Sequence, residues 1–456
     1  MMKKVILILV CIFLVSVNTY ATHNKSGEIT FVQIGEYTIE CTVTTYTNIV
    51  GSNVADRDSL EVSWGDGMSE TIARINGIDF DNNGVPNGEQ IANGIKENKY
   101  VKTHVYANFG EFIISMTDPN RNAGIANINN GMSVDISFHL ETAFTLSSET
   151  NNSPIALIKP IDIGSIGESY IHIPNAYDVD GDSLSYRLIT PLADINEPVP
   201  GYESLQDISN NAGTSFEFNE ETGLLIWDTP TIPGEYTVAI EILSYRNGIQ
   251  NGRLIRDMQI VVSFMEMMKP VLEIANVEEN IINDVEIGDM IEFQISLENE
   301  NGLDIELFVS SELIGNSTNN VNVDFINENS AVFSWTVEEQ NVRPQPFNIV
   351  VGARTVSGIA NYKLLRYSTK SSWNNINTVD LKEHINVFPN PCVDFCNIEI
   401  VSELPQTRKY YMMNSIGKEV ESGEIIFNKR INTSGLKTGL YVIYIENTAP
   451  FLIIKK

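Results

Sequence analysis

The residues best suited to chemistry in this chain are acidic. Asp178-Val179-Asp180-Gly181-Asp182 places carboxylates at alternate positions around a glycine. That spacing can converge several oxygens on one hard cation, and calcium accepts such oxygens with loose geometry. Calcium takes roughly six to eight oxygens, so Asp178, Asp180 and Asp182 do not complete a site. An acidic turn leading into a strand at Ser183–Leu188 is the plainer reading of the same residues. Asp79-x-Asp81-x-Asn83-Gly84 repeats the alternation, but Gln90 stands where the loop would need a closing bidentate glutamate. The five histidines (His23, His104, His139, His172 and His384) have no metal-ligand spacing. No nucleophile elbow, phosphate loop or dinucleotide fingerprint occurs. No catalytic or organic-cofactor residue is assigned, and the chain is read as a non-enzyme with calcium as its one candidate cofactor.

The elements that carry these residues read as strands. Runs rich in Val, Ile, Thr, Phe and Tyr recur at Thr38–Tyr46, Ser59–Trp64, Glu111–Met116, Val134–Leu140, Ser183–Leu188 and Tyr236–Leu243. They continue at Arg256–Phe264, Met290–Leu297, Ala331–Val337 and Phe347–Ala353. Many alternate apolar with polar residues, and Asn and Gly punctuate them as turns require. No amphipathic helix longer than two turns is expected. The fold class is all-β, with tandem immunoglobulin-like β-sandwiches in a row.

Polar stretches divide the chain. Ser147–Ser153, Lys269-Pro270 and Ser368–Asn377 suggest modules at 22–148, 152–266, 269–368 and 380–456. The second and third read as diverged repeats. Trp227 aligns with Trp335, Tyr236 with Phe347, and Asp178–Gly181 with Asn299–Gly302. Both tryptophans are expected in cores.

The chain has 456 residues with 29 basic and 59 acidic side chains, a formal charge of −30. So acidic a chain repels phosphate backbones, which excludes nucleic acid as a main partner. Residues 1–21 read as a signal peptide: Lys3 and Lys4, an apolar run over Val5–Val17, and Thr19-Tyr20-Ala21 as a cleavage site. Its removal leaves 27 basic and 59 acidic residues, a charge of −32. Cys41, Cys392 and Cys396 remain, too few for a disulfide framework in so long a chain. Cys392 and Cys396 could pair only if the backbone turns between them.

Several segments resemble known families. Trp64-Gly65-Asp66-Gly67, His104-Val105-Tyr106 and Gly110-Glu111-Phe112 together resemble the PKD-type sandwich, in which these motifs are structural. The Asp178–Asp182 stretch resembles a cadherin-like calcium loop. The stretches Thr22–Ile29, Ala55–Asp58, Thr117–Ile125, Asn152–Pro154 and Pro174–Asp178 resemble a pattern in large secreted proteins of gliding bacteria. That likeness implies a surface role without specifying chemistry.

The C-terminal module carries the most specific likeness. Pro389-Asn390-Pro391, Gly417-Lys418, Leu436-x-x-Gly439-x-Tyr441 and the terminal Lys455-Lys456 occur in order. Together they resemble the type A C-terminal sorting domain of type IX (Por) secretion. Asn414 or Ser415 stands where that family has an aspartate ahead of the turn. The resemblance implies export across the outer membrane after signal-peptide cleavage, with the type IX machinery as partner. The expected product is secreted or held on the cell surface, where it meets a surface or matrix ligand in adhesion or gliding-associated contact. The alternative is an exported glycan-binding protein or enzyme with a site built from loops. Residues 380–456 hold nine basic and nine acidic residues, so the whole −32 lies on residues 22–379.

Overall fold

The computed structural model describes residues 24–456 apart from 50–55, 266, 276, 278, 280, 299–303, 316–317, 371–383, 389, 402–406, 415–417 and 446–450. The signal peptide, Asn299–Gly302, Pro389 and Gly417 therefore lie outside the described residues. The chain divides into two compact units, Met1–Ser371 and Ser372–Lys456.

The architecture is all-β. Strands appear where alternation and β-branching place them: Thr38–Asn48 turns Ile39, Cys41 and Val43 inward, all fully buried. The described residues hold one α-helix, Leu205–Ala212, slightly over two turns long. Ser204 caps it by accepting the Asp207 N–H at 3.1 Å, and Gly213 ends it in the left-handed conformation at φ 73°. Its Leu205 packs into the second core.

Two proposed modules share one sheet. Strand Ile249–Ser263 has Phe138–Leu146 and then Asn24–Gly35 along one edge, both antiparallel. It also pairs along Gly234–Arg246. Hydrogen bonding therefore crosses the cut proposed between residues 148 and 152, and the sheet there has twelve strands. Local composition revealed the polar loop at 147–153, but it could not reveal that the chain returns a hundred residues later to insert a strand.

The first core gathers Trp64, Tyr100, Tyr106, Phe138 and Phe144. The Trp64 ring stacks on His104, with centroids 4.4 Å apart and planes 6° apart. His104 Nε2 meets Asp66 Oδ2 at 2.9 Å, and the Tyr106 hydroxyl donates to the Trp64 carbonyl at 3.0 Å. Gly65 is required there: at φ 79°, an added Cβ would lie 2.5 Å from the Ile113 carbonyl oxygen. These motif residues fix a turn and a core.

The second core holds Trp227 against Tyr236, edge-to-face at 4.9 Å. The third holds Trp335 against Phe347, edge-to-face at 5.3 Å. The aligned pairs thus make the same contact in both sandwiches. The third sandwich has two four-stranded sheets. One runs Val271–Ile274, Met290–Glu298, Ser330–Thr336, Asn320–Asn327, and the other Ile282–Glu286, Ala360–Lys370, Phe347–Thr355, Ile305–Ser310.

A buried polar and apolar seam joins the second and third sandwiches. Asp162 accepts from Arg354 Nε at 2.9 Å and from the Tyr362 hydroxyl at 2.7 Å, and meets His172 Nδ1 at 3.2 Å. Ile158 and Ile173 pack with Val350, Tyr362 and Leu364 beside it. Asn175 Nδ2 donates to the Ser310 carbonyl at 3.0 Å.

The C-terminal unit is a small sandwich. One sheet orders His384–Phe388, Phe395–Val401 and Asn428–Asn432. The other orders Glu419–Ile425, Arg408–Asn414, Gly439–Ile445 and Phe451–Lys455. Cys392 and Cys396 are fully buried in its core, with Ile398, Met412, Ile443 and Ile453. Both are free thiols, as is Cys41, and burial pushes the Cys396 thiol up to about 11.

Candidate functional site

The structure brings Asp178, Asp180 and Asp182 together. One carboxylate oxygen from each lies within 4.8 Å of the others. The loop curls because the Asp180 N–H donates to Asp178 Oδ1 at 2.9 Å, and Gly181 takes φ 81° in open space.

Partners from distant segments surround this cluster. Arg246 grips Asp182 with Nε at 2.7 Å and Nη2 at 2.8 Å, and approaches Asp180 at 3.4 Å. Asn152 donates its backbone N–H and side-chain amide to Asp180 at 2.6 and 2.7 Å. Asn251 Nδ2 donates to Asp182 Oδ2 at 2.6 Å. Two acceptors here, Asp178 Oδ2 and Asn251 Oδ1, are buried without a partner. Burial, reinforced by the charges of Asp182 and Asp180, pushes the Asp178 carboxyl up to about 7. The donor set of carboxylates and an amide oxygen fits a hard cation, with Arg246 as the competing positive charge.

Sequence reasoning missed Arg246, Asn152 and Asn251. Arg246 opens the turn Arg246-Asn247-Gly248 that ends strand Gly234–Arg246, a hairpin signal that could have pointed to it. The second acidic loop does something else. Asp79 accepts the N–H groups of Asn83 and Gly84 at 3.2 and 3.0 Å, and Asn83 accepts that of Val85 at 2.7 Å. The Asp79 carboxylate and the Asn83 amide oxygen are spent on turning the backbone, while Asn83 Nδ2 donates to Asp58 at 2.9 Å.

The aspartate loop forms one wall of a cleft of about 800 Å³ between the second and third sandwiches. Tyr177 and Tyr245, both half-buried, stand on the same side, and Arg343–Pro346 forms the opposite wall.

The C-terminal motifs act on the final strand. Asn390 Nδ2 donates to the Leu452 carbonyl at 2.7 Å, while its Oδ1 accepts the Ile454 N–H at 2.9 Å. The Cys392 N–H donates to the Ile454 carbonyl at 2.8 Å, and the Lys456 N–H to the Cys392 carbonyl at 2.9 Å. The segment after the opening Pro389 thus covers the outer edge of Phe451–Lys455, an edge that would otherwise be open. Asn414 Oδ1 accepts the Lys418 N–H at 2.9 Å across the turn. Leu436 packs against the core, and the Tyr441 hydroxyl donates to the Lys437 carbonyl at 2.8 Å. Gly439 lies in open space, Lys455 is buried and Lys456 is exposed.

Among the described residues no helix is long and apolar enough to cross a membrane. No curated protein matches the chain. Several solved structures do. Eight N-terminal immunoglobulin domains of Down Syndrome Cell Adhesion Molecule isoform 1.30.30 match at 11% identity and a TM-score of 0.20, over 95% of this chain and 47% of theirs. The four N-terminal immunoglobulin domains of Dscam1 isoform 6.9 match at 12% and 0.21, over 95% and 99%. Titin domains A168–A170 match at 9% and 0.17, over 67% and 99%. This chain spans about half the length of the eight-domain structure. Residues 386–456 match the family model of the secretion system C-terminal sorting domain, Por_Secre_tail. With the ordered motifs and the covered terminal strand, this establishes that the chain carries a type IX secretion C-terminal sorting domain behind an all-β passenger.

Proposed function

We propose that the passenger, residues 22–379, works outside the outer membrane in adhesion or gliding-associated contact with a surface or matrix ligand. The sorting domain carries this reading, since it addresses the chain to the type IX machinery. The passenger's charge supports it: the acidic excess lies on the exported part, where it favours solubility. Cells lacking the passenger but retaining secretion should attach to, or move over, a surface less well than the parent. Equal attachment and equal movement would overturn the adhesion reading.

We also propose calcium at Asp178, Asp180 and Asp182. The buried, unpartnered Asp178 Oδ2 supports it. Titrating calcium into the mature chain should release or absorb heat and raise the melting temperature, and chelator should reverse the rise. Absence of both heat and melting shift would remove calcium from the account. Arg246→Met should tighten binding, because it removes the competing charge.

A further inference from the structure

The cleft between the second and third sandwiches has a lining that selects among ligand classes. Its arginines are already paired. Arg343 Nη1 donates to Glu312 at 2.6 Å, Arg366 Nη2 to Glu221 at 2.6 Å, and Arg246 holds Asp182. Five acids then face three arginines, and in the calcium-free chain Asp180 and the partly ionised Asp178 are the surplus. An anion would meet that surplus, with every guanidinium engaged.

Paired charges suit a different partner. Arg343 also donates to the Gln345 and Pro346 carbonyls, at 3.0 and 3.2 Å, which fixes the guanidinium and leaves one Nη1 N–H to offer, while Arg366 and Glu221 keep donors and acceptors beyond their mutual bond. A hydroxyl can donate to the acid while accepting from the base, so a polyol satisfies both without a net charge. Arg366 Nε also donates to Asn348 Oδ1 at 3.3 Å, which orients that amide. The half-buried Tyr177 and Tyr245 add rings against which the C–H face of a sugar can lie. The cleft is preformed: the Asp162 seam and the Asn175–Ser310 bond fix the two sandwiches on either side of it. Its volume, about 800 Å³, lies within the range of ligand clefts at domain junctions.

We propose that this cleft binds a neutral saccharide chain, its hydroxyls taken by the Arg343–Glu312 and Arg366–Glu221 pairs and its rings by Tyr177 and Tyr245. This deepens the surface-contact reading and rests on it, but purified protein tests it separately from export. Fluorescently labelled mature chain is applied to a printed array of neutral and acidic oligosaccharides. The strongest neutral hit is then titrated by calorimetry. Retention on neutral glycans is expected. Binding should be at least about tenfold weaker for Tyr177→Ala/Tyr245→Ala. The same loss is expected for Gln345→Trp, which fills the cleft from a loop while keeping the backbone carbonyl that Arg343 Nε holds, and which keeps the test open if the tyrosine variant misfolds. Retention on no glycan, retention on acidic glycans alone, or undiminished binding by Gln345→Trp would overturn the proposal.

Discussion

Arg121 and Asp257 lie 136 residues apart in the chain and form an ion pair at 2.5 Å, with both side chains closed off from solvent. Arg121 Nε also donates to the Ser137 carbonyl at 3.0 Å, and Asp257 accepts from the Thr237 hydroxyl at 3.0 Å. Neighbouring residues add to the interlock. Glu28 accepts Arg256 at 2.8 and 3.0 Å, Asn122 donates to Gln259 at 2.9 Å, and Asp118 accepts Arg57 at 3.0 and 3.2 Å. Breaking a buried pair leaves an uncompensated charge. Arg121→Met should therefore cost about 3–5 kcal/mol. Urea unfolding of the mature chain measures this, and a loss below about 1 kcal/mol would show that Asp257 has another partner.

The seam at Asp162 should respond to acid. Burial lowers the His172 imidazole, only partly offset by Asp162. The Asp162 carboxyl is buried too, but His172, Arg354 and Tyr362 outweigh that burial and hold it below the usual carboxylate range. Arg256 and Tyr170 are the other charged and titratable groups coupled to this site. Unfolded histidine takes up a proton near its ordinary value of about 6.5, while folded His172 takes it up only at lower pH, so stability falls as pH drops through that value. The Asp162 contribution is lost only lower, as pH falls through its depressed folded value. Asp178, with its raised carboxyl, acts in the opposite sense over the same range, so the readout is a difference: between about pH 7 and pH 5.5 the parent should lose melting temperature relative to His172→Gln. An equal drop in both proteins would place the sensitivity elsewhere.

Strand positions were largely legible, because alternation and β-branching are local. Met290–Leu297 was expected and Met290–Glu298 is found; Tyr236–Leu243 was expected and Gly234–Arg246 is found. Val134–Leu140 was displaced to Phe138–Leu146, because Ser133–Ser137 instead joins the loop that carries Arg121 over the sheet. Long-range pairing was not legible. Nothing near Ser147–Ser153 signals that Ile249–Ser263 will lie against Phe138–Leu146. The aspartate loop was visible as spacing, but its Arg246 and Asn251 partners come from a hairpin 64 and 69 residues away. The stretch Thr117–Ile125, recognised only as a pattern, proves to hold residues that lock two sandwiches together.

Asn390 completes the edge of the terminal strand with its side chain, standing in for a backbone partner. Asn390→Ala removes the donor to Leu452 and the acceptor for Ile454. Each such bond contributes about 0.5–1.5 kcal/mol net. Amide hydrogen exchange in Phe451–Lys455 should accelerate by about tenfold or more, with Tyr410–Met412 little changed. Unaltered exchange at Ile454 would mean that the Asn390 side chain does not protect the strand edge.

The most direct test of the account follows the chain to the cell surface. Residues 380–456 are deleted, the signal peptide is kept, and the passenger is sought on intact cells, in the medium and in the periplasm by antibody labelling and protease shaving. The account predicts that the full chain is exported and that the truncated passenger stays in the periplasm. Surface labelling of the truncated protein equal to that of the full chain would contradict it.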